Sequence, residues 1–164
     1  MGTNLHSEIL RAELEKLVGL PLWGVGLAAG MLTLAFGNRY TVRTSLGREV
    51  EKGDFGLHIQ CAWRIAREDE VVAGFADYVA LDHADRSAFT TFYEALQSLF
   101  VESPRVEAVE SLRAGAFSLR LEGSLYVEAF PSFSVVDPES EFWRLLSREP
   151  DQHFVVGPGG LDVS

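Results

Sequence analysis

Residues 57–65 alternate with a period of two: Leu57, Ile59, Cys61, Trp63 and Ile65 form an apolar row, and His58, Gln60, Ala62 and Arg64 a polar one. Alternation of this kind predicts a strand with one face in the core and the other turned outward. On such a strand His58, Gln60 and Arg64 line up on the outer face as a candidate binding surface for an anion or a partner's carboxylate. The plainer reading has Arg64 paired with an acid on a neighbouring strand, such as Asp77, and His58 solvated.

A second constraint comes from residues 17–37, which carry no charge and are long enough on paper to span a bilayer. Glycines and Pro21 interrupt the run, and Trp23, Val25 and Leu27, then Leu32, Leu34 and Phe36, alternate with smaller or more polar residues. Two strands joined at Ala29-Gly30 explain that pattern better than a membrane helix. Gly24-Val25-Gly26-Leu27-Ala28-Ala29 also matches a dinucleotide-binding fingerprint. That motif needs a strand before it and a helix after it, and here a helical pattern precedes it and an alternating segment follows.

The remaining punctuation predicts a helix over 7–18, with Ser7 as N-cap and Leu10, Leu14, Leu17 and Val18 as its buried stripe. Strands are expected at 40–45, 70–79, 105–112, 117–121, 125–130 and 153–156, with a central helix over 85–100 and a short helix that starts at Asp137-Pro138 and has Phe142, Trp143, Leu145 and Leu146 as its apolar side. Between the strands at 117–121 and 125–130, a three-residue loop, Glu122-Gly123-Ser124, keeps the apolar faces together by pairing Leu121 with Leu125, Leu119 with Val127 and Phe117 with Ala129. These elements give an α+β class: one domain over residues 1–156, a largely antiparallel sheet packed with the N-terminal and central helices, and a flexible tail over 157–164.

Composition narrows the function. Formal net charge is −10, with nine basic against thirteen acidic residues up to position 100 and five against eleven beyond it, so neither half forms a basic lobe. Phosphate repulsion argues against nucleic acid, and a cationic protein partner fits better. A single cysteine and an N-terminus without a signal pattern lead us to expect a cytoplasmic protein. No serine sits in a nucleophile elbow, no H-E-x-x-H or paired C-x-x-C occurs, and His58 and Cys61 point to opposite faces of one strand. Asp82-His83-Ala84-Asp85 has residue types that bind metal, but it reads as a helix-capping turn, and neither a metal nor another cofactor is expected.

The segments Leu57-His58-Ile59-Gln60-Cys61-Ala62-Trp63-Arg64, Phe130-Pro131, Phe142-Trp143-Arg144-Leu145 and His153-Phe154-Val155-Val156 resemble a family of small bacterial proteins known as a domain of unknown function. Some of its members lie near toxin and immunity genes. The resemblance implies an immunity-like role and carries no catalytic residues. The expectation is therefore a non-catalytic interaction module. The competing class is a small-ligand-binding protein or hydrolase using His58, Arg64 and the Asp82-His83-Asp85 turn, which a deep pocket at those groups would favour.

Overall fold

The computed structural model describes residues 3–82, 85–134 and 140–164. The first element, α1 (Thr3–Glu15), buries Leu10 and Leu14, and the turn after it buries Leu17. Ser7, expected as the N-cap, lies inside this helix, and Val18, expected in the stripe, is 43% exposed. The chain leaves the helix early because Gly19, at φ +85°, turns it so that its N–H reaches the Val106 carbonyl.

The uncharged run is a hairpin, β1 (Leu22–Ala28) and β2 (Met31–Phe36), closed by Ala29 and Gly30, both at positive φ as a type I′ turn requires. The glycine fingerprint thus runs along β1 into its turn, with no helix after it. No helix among the described residues is long and apolar enough to cross a membrane. A small hairpin follows, β3 (Tyr40–Arg43) with β4 (Glu49–Lys52).

The alternating stretch that opened the sequence is two strands rather than one: β5 (Phe55–Ile59) and β6 (Ala62–Arg67). The chain bends between them, where Gln60 and Cys61 both donate their backbone N–H groups to the Phe142 carbonyl, at 2.9 and 3.0 Å. Beyond the bend β6 enters a different sheet. The apolar row survives this, since Leu57, Ile59, Cys61, Trp63 and Ile65 are all buried.

After β7 (Glu70–Gly74) the expected strand to residue 79 becomes α2 (Phe75–Asp82). Asp77 accepts the Gly74 N–H at 2.9 Å, and Tyr78, one helical turn after Phe75, is buried. The central helix α3 (Arg86–Ser98) has Asp85 as N-cap, accepting from the Ser87 N–H at 3.1 Å. Strands β8 (Val106–Ser111), β9 (Phe117–Leu121) and β10 (Leu125–Phe130) follow, and β9 and β10 pair in the three-residue-loop register, Leu121 with Leu125 and Phe117 with Ala129.

The expected helix start at Asp137-Pro138 lies outside the described residues, but Trp143–Ser147 is a strand, β11. It is held between β5 and β12 (Gln152–Gly157), and ladders on both sides outweigh any local helical preference. Gly160–Val163 pairs with β12 as β13, so the expected tail ends in a strand.

Two large antiparallel sheets result, β1-β2-β5-β11-β12-β13 and β7-β6-β10-β9-β8. Their inner faces share one core cluster, with Leu34, Leu57, Trp143 and Phe154 on one side and Trp63, Phe117, Leu119 and Val127 on the other. The α+β domain is therefore a sandwich, with α1 packed on β8 and α3 on β1.

Candidate functional site

Because Leu57 and Ile59 face the core, His58 falls on the outer face of the six-stranded sheet. Its cross-strand neighbours are Thr33 on β2 and Arg144 on β11. Arg144 grips Glu141 through two contacts, one of them Nε to Oε2 at 2.8 Å, and its Nη1 lies 3.3 Å from His153 Nδ1, which serves as the acceptor. Gln60, at the bend, donates to the same Glu141 carboxylate at 2.9 Å. His58, Gln60, Glu141, Arg144 and His153 thus form one connected neighbourhood.

Arg64 does not belong to it. The bend carries Arg64 to the other sheet, where it pairs with Glu128 at 2.6 Å and stacks over Phe130. Its partner is the residue directly opposite on β10, and Asp77 is committed to Gly74 instead. The single polar face expected for His58, Gln60 and Arg64 is corrected accordingly. Of the Asp82-His83-Asp85 turn, His83 lies outside the described residues, and Asp85 caps α3.

Around His58 the outer face forms a cleft of about 740 Å³. Gly24, Gly26, Ala35 and Gly56 make its floor, the β3–β4 hairpin one wall, and the β11–β12 turn with Arg148 and Asp151 the other. The hairpin is anchored through Asp54, whose carboxylate accepts the Tyr40 hydroxyl at 2.7 Å and the Asn38 N–H at 2.8 Å. Arg148 lies over the Tyr40 ring, its guanidinium carbon 3.4 Å from the centroid. At the far edge Trp23 donates to the Gly37 carbonyl at 3.0 Å, with Arg39 over its ring.

Electrostatics follow from these contacts. Burial pushes the His58 imidazole below its ordinary value, and Arg144, His153 and Lys52 push the same way against Glu141 alone. Burial acts to raise the Asp54 carboxyl, but the Asn38 N–H and the Tyr40 hydroxyl outweigh it and hold the group below its usual value. Cys61 is shut in the core, and burial pushes its thiol up to about 12.

Tyr40, Lys52, Asp54, Arg144 and Arg148 were not singled out from sequence. The signal available was the glycine pair Gly37 and Gly53, which marks where a hairpin leaves and rejoins a sheet. Comparisons with protein-family models, curated proteins and solved structures find no match for this chain.

Proposed function

We propose that the protein is a non-catalytic binding module whose ligand occupies the cleft between the six-stranded sheet and the β3–β4 hairpin. The observation that carries this reading is the floor: three glycines and an alanine on adjacent strands leave about 740 Å³ open against the backbone. That volume is in the range of small-molecule sites, roughly 300–1,000 Å³. Of the carboxylates that line the cleft, Asp54 is held by Tyr40 and Asn38 and Glu51 faces Arg39, which favours recognition over turnover. The test is to fill the floor. A Cβ at Gly56 meets only ordinary contacts, Leu146 at 3.8 Å and His58 at 3.9 Å, so Gly56→Leu adds bulk at the floor without a clash at its Cβ. Fragments seen by saturation-transfer NMR with the parent protein should be lost with a folded Gly56→Leu variant. Fragment binding that persists unchanged would sink the reading.

A second reading, engagement of a cationic protein, is favoured by one feature. Glu68, Asp69 and Glu70 are exposed at the β6–β7 turn beside the exposed Val71 and Val72. A basic peptide that binds should lose affinity when the three acids become Gln. Equal affinity would remove this reading.

A further inference from the structure

Resting on the reading of the cleft as a binding site, we infer that its ligand carries a carboxylate or phosphate, which Arg148 and Lys52 receive at the cleft wall while a flat body lies on the glycine floor. Seven of the 14 basic residues pair with a carboxylate among the described residues. Arg11, Lys16, Arg39, Arg43, Arg64, Arg120 and Arg144 each have a carboxylate within 4.0 Å. Among the described residues Arg48, Lys52, Arg67, Arg86, Arg105, Arg113 and Arg148 have none, and of these Lys52 and Arg148 line this cleft.

Arg148 is also preset for an oxyanion. Its stacking on Tyr40, itself tied to Asp54, fixes the guanidinium plane and leaves the in-plane N–H donors without a side-chain or backbone acceptor among the described residues. Three acids also border the cleft: Glu51 faces Arg39 at 3.8 Å, Asp54 accepts from Tyr40 and Asn38, and Asp151 stands on the turn.

The experiment uses the full chain, with benzoate, its neutral isostere benzamide and inorganic phosphate as probes, read by NMR on the His58 and His153 rings. Benzoate should shift both rings and move His58 protonation to higher pH, because a bound anion favours the imidazolium. It should bind about tenfold more tightly than benzamide, and Arg148→Gln and Lys52→Gln should each remove most of that difference. Lys52 is exposed on the hairpin, so its variant keeps the test independent of folding. Benzamide binding as well as benzoate, or benzoate affinity unchanged in a folded Arg148→Gln/Lys52→Gln protein, would overturn the oxyanion assignment while leaving the cleft reading intact. No ring shift from benzoate or phosphate would overturn the assignment too, and only loss of neutral-fragment binding at Gly56 bears on the cleft itself.

Discussion

Trp143 on β11 meets Phe117 on β9 edge to face, ring centroids 5.1 Å apart, and the contact joins the two large sheets. Both rings are fully buried, and the Trp143 indole also donates to the Gly115 carbonyl at 2.8 Å. Trp143→Ala should cost about 3 to 5 kcal/mol in urea denaturation, from lost burial and the cavity left behind. In a double-mutant cycle with Phe117→Leu and Trp143→Leu, a coupling of about 0.5 to 1.5 kcal/mol is expected, and additive losses would mean the rings act independently.

The β3–β4 hairpin leaves the sheet at Gly37 and returns at Gly53, and neither position has room for a side chain. A Cβ on Gly53 would collide with the Phe36 carbonyl and lie 2.9 Å from the Phe36 nitrogen, and one on Gly37 would lie 2.8 Å from the Asp54 Cβ. Gly53→Ala should therefore destabilise the fold by about 1 to 3 kcal/mol, while Gly56→Ala, whose neighbours stand at 3.8 Å or more, should be close to neutral. Thermal denaturation of the two variants side by side decides it; equal melting temperatures would show that the waist is not strained by a Cβ.

Trp63 presents a different problem, a buried indole Nε1 with no hydrogen-bond partner among the described residues. Trp63→Ala should cost about 3 to 5 kcal/mol. Trp63→Phe keeps a ring and removes the unsatisfied donor, whose burial costs about 1 to 3 kcal/mol, so its net effect should be far smaller. A Phe variant as unstable as the Ala variant would show that the indole has a partner after all.

Cys61, 2% exposed and with its thiol held at about 12, should resist a thiol-specific reagent near pH 8 until the protein unfolds. The pH dependence has a definite sign. An unfolded thiol ionises at about 8.5 and the folded one near 12, so between these values the folded state binds more protons and stability falls as pH rises. Cys61→Ala should flatten that alkaline slope, and rapid labelling of the native parent would show that the residue is not enclosed.

Local period and turn chemistry made much of this fold legible. The hairpin from Leu22 to Phe36, the Asp85 cap and the β9–β10 register each depend on neighbours a few residues apart, and the structure has all three. What escaped depends on long-range pairing. Nothing local in 57–65 reveals that Gln60 and Cys61 share the Phe142 carbonyl, yet that bend sends Arg64 away from His58. Trp143–Ser147 was likewise misread because its apolar residues fit a helix stripe as well as a strand, and pairing with β5 and β12 decides between them. Net charge is an average over the chain and does not show that Arg144 and Lys52 stand near His58.

His58 and Arg64, expected on one face of a single strand and found on different sheets, can be told apart by pH. Below about 6.5 an unfolded histidine takes up a proton that the folded His58, with burial and then Arg144, His153 and Lys52 against it and Glu141 for it, still refuses. The unfolded state then binds more protons, so the contribution of His58 is fully present above about pH 6.5 and is lost as pH falls from there toward the folded value. His58→Gln should flatten this acid-side slope in denaturation series across that window. Arg64→Ala should leave the slope untouched and lower stability by no more than about 1 kcal/mol, because its pair with Glu128 is half exposed. Fragment affinity at the cleft should respond to the first substitution and not to the second. An Arg64 variant that weakened cleft binding as much as the His58 variant would place the two side chains on one surface again.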